Sequence, residues 1–267
     1  MKHTTWVILT LLALFFGAQV LGLIIVDHYQ LKETFPLGIE RPEIEPTTSY
    51  IPLFLILLIA TGIALVMIKL RLAILWRLWF ILSVFLTLLI SFAAFTRTET
   101  IALVTAGAFA AWRLFRPNAI VHNGTEVFVY GGLAAIFAPL FTIISVSILL
   151  VLISAYDYIA VRKTKHMITL AKSQGKAGVF AGFVIPYGKH TAVLGGGDIG
   201  FPLIFTAVTN TQLGIGVTNW LGYIIPFCTT LMLFALFALG EKKKYYPAMP
   251  YLSLGCFLGL GIVLLLI

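Results

Sequence analysis

Charge is scarce in this chain. Asp, Glu, Lys and Arg together make up 10% of its 267 residues, whereas a soluble domain carries about 25%. Hydrophobic residues reach 60%, and the mean hydropathy is +1.04. That excludes a water-soluble globular domain and makes the chain a polytopic membrane protein, most simply one helical domain. Cysteine is nearly absent. Cys228 and Cys256 both lie in apolar runs, so there is no disulfide framework and no metal-ligand spacing. The five histidines (His3, His28, His122, His166, His190) are scattered, and no HExxH pair occurs, which argues against a metalloprotease or a haem protein. No metal and no cofactor is expected. Convincing internal repeats and low-complexity tails are also lacking. The formal net charge is +8, but the basic residues fall in short runs between apolar segments. That is a membrane topology signal, not a nucleic-acid footprint.

Aspartate is rarer still. The chain has Asp27, Asp157 and Asp198 and no other. Asp198 stands in Leu194-Gly195-Gly196-Gly197-Asp198-Ile199-Gly200-Phe201-Pro202, within an apolar run from about His190 to Val208. A carboxylate at membrane depth is costly and normally marks function. Read as one transmembrane helix, the run carries three glycines, each costing about 1 kcal/mol relative to Ala. They remove side chains, so another backbone can approach closely. Pro202 cannot donate to the Asp198 carbonyl, so the helix should loosen beside the acid. Glycines alone more often mean tight helix packing; the adjoining aspartate shifts the reading towards a site.

In chain order, Trp6–Val26 is a retained first span, since it is longer than a signal-peptide core and shows no clear A-x-A. Asp27 to Ser49 is a polar link with three prolines. Spans two to five follow at Tyr50–Ile68, Leu72–Phe95, Glu99–Leu114 and Ala119–Phe137, the fifth interrupted by His122, Asn123 and Glu126. Glu126 is expected to face a polar crevice or the interface, and the sequon Asn123-Gly124-Thr125 to be coincidence. Spans six to nine are Leu140–Val161, the glycine–aspartate run, Leu213–Leu239, and Pro250–Ile267. Each run is near the roughly 20 residues that cross about 30 Å of hydrocarbon. The fold class is therefore all-α with nine transmembrane helices, residues 1–267 forming one membrane domain. Helices of about 4–137 serve as scaffold, and those of about 140–267 carry the chemistry.

Nine spans predict an orientation. With the N-terminus in the cytoplasm, all of the 18 basic residues except Lys32, Arg41 and Arg97 fall on or near the inner side, as the positive-inside bias requires. Without the fifth span, the cluster from Arg162 to Lys189 would face outward. That conflict supports the fifth helix. The expected location is an integral multi-pass position in the cell membrane.

Asp157 and Asp198 lie on adjacent antiparallel spans. Asp157 is five residues before Arg162, and Asp198 eight after His190. At 1.5 Å per residue they lie roughly 8 Å and 12 Å from the cytoplasmic ends of their helices. Two carboxyls at like depth could face one another and share a proton. One would then act as base on a water while the other polarises a scissile carbonyl. The same residues also suit a cation leak channel or a proton-coupled transporter, which use intramembrane acids too. From these residues alone both readings stand.

A third segment, Tyr245-Tyr246-Pro247-Ala248-Met249-Pro250-Tyr251, precedes the last span; taken alone it is a helix entry. Together, Tyr156-Asp157, Gly195-Gly196-Gly197-Asp198 and Pro247-Ala248-Met249-Pro250 occur in the order YD, GxGD, PALP. In this the chain resembles the presenilin and signal-peptide-peptidase family of GxGD intramembrane aspartyl proteases, and within it the archaeal presenilin homologues. Two positions depart from the pattern: x is Gly196 where leucine is usual, and Met249 replaces the leucine of PALP. The inferred orientation resembles presenilin, whereas Ile199-Gly200-Phe201-Pro202-Leu203-Ile204-Phe205 looks more like the peptidase branch, so the resemblance assigns the superfamily only. The link between spans six and seven lacks the long loop that animal presenilins cut in themselves. Prepilin peptidase also uses GxGD but would have a lysine where Gly200 stands.

The resemblance implies the following. Asp157 and Asp198 form the catalytic dyad. Gly195 and Gly197 give the substrate backbone room, with Gly196 a determinant of preference. Pro247, Ala248 and Met249 shape the active site, and Tyr156 belongs to the substrate wall or to simple packing. The partners are single-span transmembrane substrates and the lipid bilayer; a homo-oligomer is compatible with it. A substrate helix must unwind before water can attack, and a strand edge would stabilise it by main-chain bonds. Val179–Val184 is the candidate edge.

Overall fold

The computed structural model describes residues 4–42, 45–70, 72–164, 179–188, 190–240 and 246–267. Arg71, the basic link at Lys165, Lys172, Lys176 and Lys189, and the Glu241–Lys244 cap lie outside the described residues. Nine α-helices run along the described chain: α1 (Thr5–Tyr29), α2 (Tyr50–Lys69), α3 (Ala73–Ala93), α4 (Glu99–Phe115), α5 (Ala119–Phe137), α6 (Ile143–Arg162), α7 (Gly196–Gln212), α8 (Ile224–Leu239) and α9 (Met249–Leu266). By length and composition six segments could cross a bilayer: α1, α2, α3, α6, α9, and α8 with the 3-10 turn before it. The helices α4 and α7 are 17 residues long, and α5 carries the polar residues His122, Asn123 and Glu126.

Helix α1 is the post of the bundle. It packs against α5, α7 and α8, burying Val7, Leu11, Phe15 and Ala18 completely. In lipid, helices gain little from hydrophobicity against one another, so close approach of small residues does much of the work. At the α1–α5 crossing a Cβ on Gly131 would lie 3.2 Å from the Gly22 Cα. On α9, Gly255 and Gly259 form a GxxxG face; a Cβ on either would come within 2.7 Å of the Thr229 or Ile225 Cα of α8. Helices α3 and α4 build a smaller second core with α5 around Val84, Leu88, Leu89, Ala102 and Ala106. Helix α2 touches chiefly α6, and none of its apolar window is buried. That leaves Ile51, Ile59 and Val66 turned outward.

The structure departs from the all-α expectation at two antiparallel hairpins. One, β1 (Thr34–Phe35) with β2 (Ile39–Glu40), lies in the polar link after α1; Leu37 and Gly38 turn it at positive φ. The other overturns the reading of His190–Val208 as one helix. Residues His190–Gly195 form β4, paired with β3 (Gly182–Tyr187), and helix α7 begins only at Gly196. A strand rises about 3.3 Å per residue rather than 1.5 Å, so the depth inferred for Asp198 from helical rise does not hold. The physical reason is the β-branched, alternating content of this stretch. Ala192 and Leu194 are buried while Thr191 and Val193 are exposed, a period of two rather than 3.6. The eighth helix is also shorter than Leu213–Leu239. Gly214 takes φ +66°, and the chain re-enters helix only through the turn Trp220–Tyr223, capped by Asn219.

Candidate active site

The three motif segments come together. Thr142 starts α6 with a capping box shared with Ser145, and the helix then carries Tyr156 and Asp157 in its second half. Helix α9 opens at Met249, just after Pro247 and Ala248, and its free N-terminal amides point at α6. The Met249 amide donates to Asp157 Oδ2 at 3.2 Å, and the Ala248 amide lies near the same carboxyl. Helix N-termini present such unpaired donors and favour negative charge. One turn away, the hydroxyls of Ser154 and Ser253 meet at 2.7 Å, a second rung between α6 and α9. The prolines fit this entry. Pro250 lies in the first turn of α9, where its missing donor costs nothing, and Pro247, Ala248 and Met249 are all buried.

Asp198 sits in the first turn of α7, not in mid-helix. Its carboxyl lies beside Gly195 and within electrostatic reach of Asp157. Gln19 of α1, buried completely, donates to the Ile199 carbonyl at 3.0 Å and ties the start of α7 to the central post. Pro202 lies inside α7 as expected, leaving the Asp198 carbonyl without its helical donor.

The glycines have distinct reasons. A Cβ on Gly195 would lie 3.2 Å from Asp198 Oδ2, so a side chain there would crowd the carboxylate. A Cβ on Gly196 would lie 2.8 Å from the Tyr130 hydroxyl and 3.4 Å from the Ala181 Cβ. Gly197 is exposed, and a Cβ there would make only ordinary contact with Phe201, at 3.5 Å. Gly196 therefore faces the protein interior, while Gly197 opens outward. Tyr156 meets Phe54 of α2 edge-on, with centroids 6.5 Å apart.

Among the described residues, no group of three or more His, Cys, Asp or Glu converges as metal ligands would. Two carboxyls, backbone amides and glycine-lined space suit acid–base chemistry on a water better than nucleophilic or metal-assisted chemistry.

The comparisons with known proteins bear on this geometry. A family model described as signal-peptide peptidase, presenilin aspartyl protease, matches residues 12–267. The chain belongs to this family. By that membership it is an aspartic-type peptidase, a hydrolase, and an integral multi-pass membrane protein. Comparison with curated proteins finds no match. Among solved structures, a presenilin-family intramembrane aspartate protease in space group C222 superimposes with a TM-score of 0.71 at 22% identity, covering 97% of this chain and 99% of that one. A presenilin-family intramembrane aspartate protease in space group P2 gives 0.68 at 23%, covering 97% and 98%. At that identity the likeness establishes a shared fold.

Sequence reasoning missed several polar residues around this presenilin-type site. Glu126 faces neither water nor a crevice: it is 1% exposed and paired with Arg113 at 2.5 Å. Arg113, read as a cytoplasmic topology charge, is itself buried. The sequon asparagine, Asn123, holds the Val184 main chain through both atoms of its amide. The available signal was an arginine and a glutamate flanking one short turn, at positions that their helices would bury together.

Proposed function

We propose that the chain is an intramembrane endopeptidase that hydrolyses peptide bonds within single-span transmembrane substrates, with Asp157 and Asp198 as its catalytic pair. The observation that supports this reading is the convergence of the three motif segments: the Met249 amide is bonded to Asp157, and Asp198 stands in the first turn of a helix packed against both α6 and α9. In the proposed step one carboxylate takes a proton from water as the oxygen attacks the scissile carbonyl carbon. The other, protonated, hydrogen-bonds and then protonates the carbonyl oxygen. Collapse of the resulting gem-diol breaks the C–N bond: the proton held by the first carboxyl goes to the leaving nitrogen, and one gem-diol hydroxyl returns its proton to the second carboxylate as the new carbonyl forms. Pro247, Ala248 and Met249 orient Asp157. Gly195 leaves space beside Asp198, Gly196 accommodates Tyr130, and Gly197 opens the surface along which substrate passes. Tyr156 belongs to the wall between α2 and α6.

The substrate strand lies along β4. Residues Gly182 and Val184 of β3 spend their main-chain groups on side chains of α5, so they point away from β4. In an antiparallel ladder this outward phase alternates. On β4, opposite them, Gly195 and Val193 point away from β3, with Thr191 in the same phase. The edge of β4, free among the described residues, therefore runs into the Gly195–Asp198 turn. Pro186 falls in the outward phase of β3, where a missing donor interrupts no rung. The candidate edge thus shifts from Val179–Val184 to the partner strand.

The same reading takes all nine helices as spans, the N-terminus and the dyad on the cytoplasmic side of the cell membrane, and one domain in which α1–α5 support α6–α9; a homo-oligomer is compatible with it. Its test is to incubate purified protein with a single-span substrate and identify the fragments by mass spectrometry. Asp157→Ala and Asp198→Ala should each abolish cleavage while melting close to wild type. Proteolysis surviving in either purified variant refutes the dyad.

A further inference from the structure

A cluster of buried and half-buried polar groups apart from the two aspartates gathers where α5 meets the end of α4 and acts on one strand. Glu126 Oε2 accepts from the Gly182 amide at 2.9 Å and from the Tyr130 hydroxyl. Its other oxygen takes Arg113 at 2.5 Å. Arg113 continues to the Phe180 carbonyl at 3.0 Å and to Thr125 at 3.2 Å. His122 Nε2 meets the Gly182 carbonyl at 2.7 Å. Asn123 donates to the Val184 carbonyl at 2.8 Å and accepts from the Val184 amide at 2.9 Å. Main-chain groups two residues apart, at Gly182 and Val184, are thus satisfied as a neighbouring strand would satisfy them. Side chains of a helix occupy the place of a third strand.

This has two consequences. A hairpin in an apolar surrounding has two edges with costly unpaired groups; here one edge is closed, so an incoming strand can pair only with the other. The hairpin is also held in register with α5, whose Tyr130 packs on Gly196 and lies near Asp198. The closed edge and the start of α7 therefore share one anchor, the Glu126–Tyr130 pair.

We propose that Asn123 and Glu126 are positioning residues for peptide-bond hydrolysis, acting through β3 to leave β4 as the one open edge and to fix which substrate bond reaches Asp198. This rests on the peptidase reading above and extends it to the choice of cut site. Neither residue touches the reacting atoms. Asn123 sits at a half-buried position and carries no charge, so its removal spares the Arg113–Glu126 pair.

The test compares wild type, Asn123→Asp and Asn123→Ala on one single-span substrate. It reads kcat, KM, the distribution of cleavage positions, thermal stability, and affinity for a transition-state aspartyl inhibitor. Asn123→Ala loses both bonds to Val184; kcat/KM should fall about tenfold, because small misplacements at a reacting centre are expensive, and the cut positions should spread to neighbouring bonds. Inhibitor affinity should stay within about twofold, since the dyad itself is untouched. Asn123→Asp keeps the acceptor for the Val184 amide and should fall between the two. An Asn123→Ala variant with unchanged kinetics and cut pattern overturns the inference. So does one in which activity, inhibitor affinity and stability fall together while the cut pattern stays fixed, because that is a merely structural role. If the wild type cleaves nothing, the peptidase reading itself fails and this inference falls with it; wild-type cleavage beside an indifferent Asn123→Ala sinks this inference alone.

Discussion

Restoring leucine at the variable position of the GxGD motif, as Gly196→Leu, should damage this protein, although leucine is the usual residue there. A Cβ at 196 would sit 2.8 Å from the Tyr130 hydroxyl and 3.3 Å from its Cε1, with the Ala181 Cβ at 3.4 Å. A tyrosine hydroxyl is the end of a long side chain and would ordinarily swing aside. Here it is bonded to Glu126, the ring lies edge-on to Phe183 at 6.2 Å, and the residue is 4% exposed. Displacing it breaks a hydrogen bond to a charged group, worth about 1.5–3 kcal/mol. Keeping it forces overpacking, at about 1–3 kcal/mol. Either route predicts a loss of about 2–3 kcal/mol for leucine. Alanine removes the backbone freedom of glycine and regains up to about 1 kcal/mol, so its net loss is smaller.

The decisive form is a double-mutant cycle. Tyr130→Phe deletes the nearest contact and leaves Glu126 its bonds to Arg113 and the Gly182 amide. Gly196→Ala in that background should cost less than in wild type, with a coupling of about 1 kcal/mol or more. Thermal and denaturant unfolding of the detergent-solubilised protein measure it. Additive effects, or a Gly196→Leu variant as stable as wild type, would refute the packing argument and return position 196 to the substrate side.

Three further outcomes follow from the same geometry. Met249→Leu, which restores PALP at conserved volume, should keep activity within about twofold, whereas Met249→Pro removes the amide that donates to Asp157 and should abolish cleavage; equal activity in the two would dismiss that donor. Gly259→Leu drives a side chain into the Ile225 backbone of α8, where no rotamer relieves the clash, and should lower the melting temperature far more than Gly261→Leu, whose Cβ meets nothing within 4 Å. Cleavage should follow a bell-shaped pH profile whose two limbs belong to the acid pair jointly; a single sigmoidal limb would count against a two-carboxyl mechanism.

The helices were legible because their signals are redundant. The range Ala119–Phe137 is a helix with the bounds read from sequence, although it carries one half of a buried ion pair, because the basic clusters on either side demanded it; Asn118 caps it. The family was legible because the order of the three motifs along the chain is specific even where each motif is weak. The hairpin before Asp198 was obscured by hydropathy. Strand and helix look alike in a short apolar run, and the glycines that seemed to weaken a helix in fact mark a strand-to-helix junction. The network on α5 was illegible for another reason. Arg113 and Glu126 each had an adequate local explanation, one as a topology charge and one as an interfacial acid. Beyond their places on either side of one short turn, only tertiary contact reveals that each is the partner of the other.

That network also explains how a chain so poor in charge can keep a strand edge open within an apolar bundle. Main-chain groups in such surroundings must find partners internally, and irregular backbone survives only where it is held by protein or meets water. A hairpin has two edges and would be unstable with both bare. Closing one with another strand would merely move the bare edge outward. Closing it with side chains of a helix ends the sheet, because a helix offers no further ladder. The groups that do so must be polar and buried, and they must be satisfied among themselves, since a half-satisfied network costs more than an apolar contact. Arg113 and Glu126 meet most of that demand by pairing, the Arg113 Nε alone in the pair finding no partner among the described residues, and Asn123 meets it by engaging both atoms of its amide. Among the described residues, the edge left bare, on β4, then ends at Gly195 beside Asp198, and the buried charges Arg113 and Glu126 are placed where an open edge has to be held.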